Sequence, residues 1–380
     1  MALVKPDLAR FAKIRVLGIG GGGSNAISSM LVEDLINGVD FVSINTDAQA
    51  LLANQATIKL QIGENLTRGL GVGGNPEIGA QSAEESREKI KELLTDTDMV
   101  FITAGMGGGT GTGAAPIIAE IAKEQGALTI AVVTKPFLFE GTRRMVVAEE
   151  GITKLKDKVD ALIVIPNQKL LDSIDRKITL LDAFKTVDSV LAQGVQGISD
   201  IITLPGLINR DFADIKSIMK DAGTAFMGIG IGIGENRAQA AARNAISSPL
   251  LEVSINGARG ILFTITGGPD LTMAEVEEAS KLITEHADAD ANIIFGANID
   301  QKMVDQLKVS VIATGFDESK LNLQRMVQRP TTRAFSATPP PSVAKPLTSE
   351  GDGEPSPEAP LDEMGEEYEV PAFLRLGRQH

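Results

Sequence analysis

The chain has 380 residues, 43% of them apolar, with a formal net charge of −14, two histidines and no cysteine. This length allows two or three domains with real cores, whereas the negative charge argues against a nucleic-acid partner and the missing cysteine excludes disulfides and thiolate chemistry. So few histidines disfavour an imidazole-based catalytic centre, and the interrupted apolar stretches predict neither a transmembrane helix nor a signal peptide before the first strand.

The first part of the chain, residues 13–177, alternates predicted strands and helices after a flexible N-terminus at 1–12. Apolar runs that are typical of buried strands occur at KIRVLGIG, VDFVSINTD, DMVFITAG and LTIAVVT. Helices between such strands indicate a parallel, doubly wound α/β sheet of the Rossmann-like kind, in which ligands bind at the carboxyl ends of the strands. Every unusual loop follows a predicted strand, so this edge of the sheet is expected to bind the ligand.

Three glycine-rich loops are expected at that edge, at residues 18–25, 69–79 and 104–115. Glycine costs about 0.5–1 kcal/mol relative to alanine inside regular structure, so AGMGGGTGTGAA between a strand and a helix indicates a binding site rather than a linker. Unpaired amides and the positive end of a helix dipole suit phosphate. The first loop alone fits the dinucleotide motif G-x-G-x-x-G, with Asp47 as a late candidate for its acid, but no P-loop lysine motif is present. Three such loops would surround a nucleoside triphosphate without a lysine.

The second part of the chain changes its pattern twice. Apolar residues at every third or fourth position predict one long helix over 178–203, and a second, smaller α/β unit follows to residue 317. Proline, serine, threonine and glutamate dominate residues 318–365, which predicts a disordered linker. The last segment, 366–380, has an apolar cluster on this tether, which is typical of a docking peptide; the alternative is a tail without function.

The motifs GIGGGGSNA, INTDAQAL, TRGLGVGGNPEIG, TAGMGGGTGTGAAP, VVTKPFLFEG, NRDFAD and PAFLR resemble, in this order, the tubulin superfamily and within it the FtsZ family of bacterial cell-division GTPases. The resemblance covers about residues 13–317 and the terminal peptide. It implies a tubulin-like fold with a GTP-binding domain, a central helix and a second α/β domain. It also implies binding of GTP or GDP, Mg²⁺ that bridges the phosphates without a dedicated protein ligand, and head-to-tail filaments that form the division ring at mid-cell in the cytoplasm.

The resemblance implies roles for particular residues of the nucleotide site. Glu140 and Arg144 would contact the ribose, although this spacing also fits a simple ion pair on one helix face. Asp188 would accept the adjacent N–H donors of guanine with the help of Asn167, and Phe184 would pack on the base, whereas the pattern alone favours a core role for Phe184. The predicted nucleotide contacts of the loops are Gly20, Gly21, Gly22, Asn25, Gly71, Gly73, Gly107, Gly108, Gly109, Thr110, Gly111, Thr112 and Gly113.

The resemblance assigns hydrolysis to a catalytic loop at 206–214, which contains the segment NRDFAD. Asn209, Asp211 and Asp214 of one subunit would enter the GTP site of the next, where the two acids would position and polarise the attacking water. The pattern alone also fits a turn or a helix cap. On the family interpretation, the site is complete only between two subunits.

The terminal peptide at 368–376 resembles the segment with which the family docks onto membrane-tethering and regulatory division proteins. Contact with a membrane would then be indirect, through such a tether. The linker before it would act as a flexible spacer.

Two residues depart from the family's pattern, and alternatives stay open. Arg210 lies where an apolar residue is more common. It therefore leaves open the alternative that the chain forms filaments and binds nucleotide without efficient hydrolysis. Gln168 replaces the aspartate that commonly follows Asn167. Two further interpretations of the protein stay open. It could be a plastid member of the family, or a nucleotide-dependent oxidoreductase that uses the glycine loop at 18–25. The oxidoreductase interpretation does not account for residues 104–115.

Overall fold

The computed structural model covers most of the chain up to residue 316. All described residues belong to one structural unit, and residues 331–380, which form a second unit, are not among them. The predicted linker at 318–365 and the docking peptide at 366–380 therefore lie outside the described residues. Those described are 12–32, 36–173, 178–203, 211–251, 255, 257–288 and 290–316.

Ten strands form one continuous sheet within these residues. In chain order they are β1 (Ile14–Ile19), β2 (Val39–Asn45), β3 (Ile58–Gln61), β4 (Met99–Gly105), β5 (Leu128–Lys135), β6 (Ala161–Pro166), β7 (Gly223–Ile233), β8 (Gly260–Gly267), β9 (Asn292–Ile299) and β10 (Gln306–Thr314). Their spatial order is β3-β2-β1-β4-β5-β6-β7-β10-β8-β9. The first seven strands pair in parallel, and β10 runs antiparallel to both of its neighbours.

The helices connect the strands and cover the sheet. They are α1 (Gly20–Val32), α2 (Ala48–Ala53), α3 (Glu64–Thr67), α4 (Pro76–Glu85), α5 (Arg87–Leu94), α6 (Thr110–Glu124), α7 (Thr142–Lys156), α8 (Asn167–Ser173), α9 (Leu180–Thr203), α10 (Phe212–Met219), α11 (Arg237–Ile246) and α12 (Met273–Thr284). A 3₁₀ turn at Leu138–Glu140 precedes α7. None of the helices in the described ranges has the length and apolarity that a bilayer crossing requires.

The central strands are buried on both faces, which explains their nearly unbroken apolar sequence. All residues of β4 except the terminal Gly105 are buried, as expected of a parallel sheet with helices on both sides. The long helix α9 packs on one face, where Val195 and Ile198 share a core with Leu262 and Ile312 of the second half. The predicted α/β fold, with a parallel first sheet and a long central helix, is confirmed.

The second α/β part is attached through β7, because this strand belongs to both halves of the sheet. Its first residues pair with β6, starting with Ala161 opposite Gly223, and its remainder pairs with β10. An ion cluster braces this part: the buried Arg237 side chain at the start of α11 contacts the more exposed Asp270 and Glu275, before and within α12. The sheet is thus continuous where the sequence predicts two domains, and the predicted domain boundaries stay predictions.

A polar cavity of about 570 Å³ separates the last turns of α9 from the second half of the sheet. Asp200 of α9 and Lys308 of β10 both line it, together with Asp300. Burial raises the pKa of Asp200 to about 7, although Lys308 and a hydrogen bond with Gln196 act in the opposite direction. Burial likewise lowers the pKa of Lys308.

Because the folded protein holds the Asp200 proton up to about pH 7, whereas the ordinary value is 3.8, this group's contribution to stability is complete below about pH 4 and is lost as the pH rises through 7. We therefore expect Asp200→Asn to raise the melting temperature relative to wild type more at pH 8 than at pH 5. Thermal unfolding at a series of pH values measures this. Asp300→Asn removes a carboxylate from the same cavity as a control, and a difference between Asp200→Asn and wild type that does not vary with pH would contradict the assignment.

Candidate functional site

The carboxyl ends of five parallel strands surround a cavity of about 600 Å³, at the edge that the sequence predicts. Ile19, Asn45 and Gly105 end β1, β2 and β4 there, Thr134 is the penultimate residue of β5, and Asn167 follows β6. Small-molecule sites are commonly clefts of about 300–1,000 Å³. The cavity is therefore large enough for a nucleotide.

Glycines allow the loops at 18–25 and 104–115 to approach each other beside the cavity. Strand β1 enters α1 directly at Gly20, which has a φ of 71°. A Cβ atom there would lie 2.8 Å from the backbone nitrogen of Gly111, and one on Gly22 would lie 3.2 Å from Cα of Gly105. Any side chain at these positions would push the two loops apart.

The loop at 104–115 places the start of α6 at the cavity. The Oγ1 atoms of Thr110 and Thr46 are 2.8 Å apart, so a buried hydrogen bond joins this helix to the end of β2. Gly108, also on the cavity wall, has no protein atom within 4 Å of the place where a Cβ would stand. The amides of a 15-residue helix and open space beside bare backbone together suit a phosphate group.

Four of the predicted nucleotide contacts lie behind this wall rather than on it: Gly20, Gly107, Thr112 and Gly113. The backbone N–H of Gly107 donates to Oγ1 of Thr112 over 2.9 Å, which fixes the loop internally. A Cβ on Gly113 would overlap the carbonyl oxygen of Pro76 in α4. These contacts show that the four residues help to shape the loops, and their predicted contacts with a nucleotide stay predictions.

The loop at 69–79 lines another side of the cavity. Gly71 and Gly73 line it with φ values of 79° and 58°, in the left-handed region that favours glycine. The loop ends where Asn75 caps α4 by accepting a hydrogen bond from the Glu77 amide over 2.9 Å. The predicted Gly21, Gly22, Asn25, Gly109, Thr110 and Gly111 also line the cavity.

Glu140 and Arg144 both reach the cavity and form an ion pair of 2.6 Å. The prediction that they share one helix face is wrong. Glu140 ends the 3₁₀ turn and Arg144 lies in α7, with Gly141 at a φ of 98° between the two helices. Oε2 of Glu140 pairs with Arg144, and its Oε1 accepts a hydrogen bond from the Phe137 amide over 2.9 Å.

Asn167, Phe184 and Asp188 meet at the inner end of the cavity. The Oδ1 atom of Asn167 is buried and has no hydrogen-bond partner within the described structure. A buried unpaired acceptor costs about 1–3 kcal/mol, so this atom suits a donor on a bound ligand. Oδ2 of Asp188 accepts from Ser29 over 3.2 Å. The Phe184 ring is 41% exposed, which fits a planar ligand better than the core role that the pattern alone favours.

Several residues of the wall are not among the predicted contacts, for example Asn45, Thr46 and Thr134. Each lies within the last two residues of a buried strand or directly follows one, and this position at the carboxyl edge is the signal that would have found them. Asp47, the candidate acid of an oxidoreductase, caps α2 by accepting from the amides of Gln49 and Ala50.

The predicted catalytic acids lie away from the cavity. Asp211 caps α10 by accepting from the Asp214 amide over 2.8 Å, so the helix-cap interpretation applies to Asp211. In the same helix, Phe212 and Lys216 line a groove with Lys13 and Asp98, which precede β1 and β4. The helix therefore lies at the amino edge of the sheet, opposite the cavity. Asn209 and Arg210 lie outside the described residues.

No group of three histidine, aspartate or glutamate side chains that could bind a metal ion occurs in the part of the chain that the structure describes. The open wall at Gly108 and the unpaired Asn167 oxygen fit a nucleotide. The fit therefore depends on backbone amides and amide side chains rather than on a built metal site.

Two family models match the sequence: the GTPase domain of the Tubulin/FtsZ family over residues 13–175, and the C-terminal domain of the FtsZ family over residues 223–317. A solved structure of an empty FtsZ dimer from M. jannaschii is 49% identical with a TM-score of 0.77, and the match covers 80% of this chain and 88% of that chain. A mutant FtsZ from the same organism gives the same identity and TM-score over 80% and 91%. CetZ2 from Haloferax volcanii, in a GTPγS-bound protofilament, is 20% identical with a TM-score of 0.69 over 83% and 98%, which shows the fold alone.

The glycine contacts separate a binding role from a packing role. We expect Gly108→Ala to weaken GDP binding while the melting temperature without nucleotide stays close to that of wild type, because its Cβ meets no protein atom. Gly113→Ala is expected to destabilise the fold by about 1–3 kcal/mol, because its Cβ overlaps Pro76 and overpacking costs this much. Calorimetric titration with GDP and thermal unfolding measure the two effects, and full affinity in Gly108→Ala would contradict a ligand at this wall.

Proposed function

The chain belongs to the tubulin/FtsZ family and is a tubulin-like cytoskeletal GTPase, and from this premise we propose that it polymerises head to tail and hydrolyses GTP at the junction of two subunits. One observation carries the proposal: the nucleotide cavity and the helix with Asp211 and Asp214 lie at opposite edges of one sheet. Each subunit then supplies the cavity to one neighbour and the acids to the other.

The distance between the two edges supports hydrolysis between subunits. Strand β4 has seven residues, which span about 20 Å at the usual rise of a strand. Phe184 and Asp188 in the first turns of α9 line the cavity, and from Asp188 the helix continues for about 23 Å to its end at Thr203. Asp211 follows the far end of this helix, so its carboxylate cannot reach the cavity of its own chain.

Exposed apolar side chains at both ends support head-to-tail assembly. Leu70, on the outer side of the nucleotide cavity, is 85% exposed. At the far edge of the second half, Ile233, Met273 and Ile299 are also exposed, and the strand register aligns the ends of β7, β8 and β9 there. Ile299 and Asp200 line one cavity, which places this edge beside the last turns of α9. Apolar surface of this kind commonly marks an interface.

Each part of the site then has a chemical role. Amides at the start of α6 and the hydroxyl of Thr110 donate to phosphate oxygens, Glu140 and Arg144 contact the ribose, and Asn167 and Asp188 accept from the guanine edge. Asp211 and Asp214 of the neighbouring subunit orient and polarise the attacking water, because phosphoryl transfer depends on alignment and charge stabilisation. Bound Mg²⁺ would neutralise phosphate charge.

We place this activity in the cytoplasm at the mid-cell division site, where the filaments form the ring. The terminal peptide at 368–376, outside the described residues, is proposed to dock onto membrane-tethering and regulatory division proteins. Arg210 keeps one competing function open, a filament that binds nucleotide without efficient turnover.

A mixing experiment tests whether one chain or two form the catalytic site. Asp188→Ala is expected to lose nucleotide binding, and Asp214→Ala is expected to bind GDP but to hydrolyse GTP at least about 100-fold more slowly. In an equimolar mixture, about a quarter of random head-to-tail junctions combine an intact cavity with intact acids. GTP hydrolysis should therefore return on mixing, measured as phosphate release alongside sedimentation.

Glu88→Gln, which removes a carboxylate that is 86% exposed on α5, serves as the matched control and should behave as wild type. If the mixture stays as inactive as its components while both variants still sediment with wild type, hydrolysis between subunits is excluded. Sedimentation without hydrolysis in wild type would favour the competing function.

A further inference from the structure

Gln168, the residue that departs from the family's pattern, bridges two loops of the nucleotide site. It lies in the first turn of α8, next to Asn167, and is half-buried. Its Oε1 accepts a hydrogen bond from the Leu138 amide over 3.2 Å, and its Nε2 donates to Oδ1 of Asp172 over 2.8 Å. A side-chain amide can accept and donate in this way, whereas the carboxylate that is common at this position has no proton for Asp172.

The segment that Gln168 holds carries the Glu140 carboxylate into the cavity. Leu138 and Phe139 in this segment are 67% and 60% exposed, so burial does little to fix them. Phe137 is buried, and its ring stacks on Phe139 at 5.1 Å and meets Phe184 edge to face at 5.4 Å. Hydrogen bonds within the turn and the Phe137 ring hold the backbone between Phe137 and Glu140, and the bond from Leu138 to Gln168 connects this turn to α8.

The geometry connects Gln168 to the ligand in two steps. Glu140 accepts from the Phe137 amide through one oxygen and pairs with Arg144 at 2.6 Å through the other. A shift of the Leu138 amide would therefore move the carboxylate and its arginine partner together. Gln168 itself does not line the cavity, whereas Asn167, Glu140 and Arg144 do.

We propose that Gln168 is a positioning residue: through Leu138 and Asp172 it aligns the Glu140–Arg144 pair with the ribose hydroxyls and so raises the affinity for nucleotides that carry them. The inference rests on the proposed ribose contact of that pair. It gives a physical reason for an amide at this position, since a carboxylate beside Asp172 would be repelled from it.

The decisive variant is Gln168→Glu, which keeps the acceptor for Leu138 and loses the donor to Asp172. Calorimetric titration with GDP and with 2′,3′-dideoxy-GDP separates the ribose contact from the rest of the site. We expect GDP to bind about three- to tenfold more weakly, the usual effect of one lost hydrogen bond, while binding of the dideoxy nucleotide stays unchanged. A purely structural role would weaken both nucleotides equally.

The double variant Gln168→Glu with Asp172→Asn provides a rescue, because the new amide at 172 can donate to the carboxylate at 168. It should restore the preference for GDP over the dideoxy nucleotide. Gln125→Glu is the matched control: it is the same substitution with the same added charge, at the exposed end of α6 far from the cavity.

Glu140→Gln distinguishes a failure of the inference from a failure of the ribose contact. If Glu140→Gln lowers the preference for GDP and Gln168→Glu does not, the positioning role of Gln168 is overturned and the ribose contact stands. If Glu140→Gln leaves the preference unchanged, the ribose contact and the inference are both overturned. Equal weakening of both nucleotides in Gln168→Glu, or no rescue by the double variant, also overturns the inference.

Discussion

The close approach of two glycine loops at the carboxyl edge of the sheet is the constraint on which the site depends. A Cβ atom on Gly20 would clash with Gly111, and one on Gly22 would crowd Gly105. This contact aligns the start of α1 with the start of α6, so that the amides of both helices border one cavity. Backbone groups there suit a phosphate without the lysine of a P-loop.

The same sheet also separates the two parts of the proposed catalytic site. Because parallel strands put all their carboxyl ends on one edge, the nucleotide cavity lies at that edge, whereas α10, which follows Asp211 and contains Asp214, packs at the amino edge. The central helix α9 extends between them and makes the separation rigid, since its apolar residues are buried against both halves of the sheet. In the proposed mechanism, a catalytic site divided in this way would link turnover to self-assembly through geometry alone.

Side-chain hydrogen bonds then refine what the backbone arranges. Asn167 leaves an acceptor unpaired at the inner end of the cavity, and Gln168, one residue later, holds the segment that carries Glu140. Neighbouring residues of one helical turn thus support the proposed base and ribose contacts separately. A departure from the family's pattern at 168 is therefore coupled to a partner, Asp172, and it is best understood as part of that pair.

The sequence by itself determined the α/β class, the parallel sheet, the long helix that starts within two residues of its predicted position at 178–203, and the edge of the sheet at which the cavity lies. These follow from local periodicity and from glycine at strand ends, which short stretches of sequence already contain. Only the tertiary structure decided that Gly108 lines the wall while Gly113 packs on α4, and that Asp211 caps a helix at the opposite edge. Such roles depend on contacts between residues far apart in the chain, and no local pattern specifies those contacts.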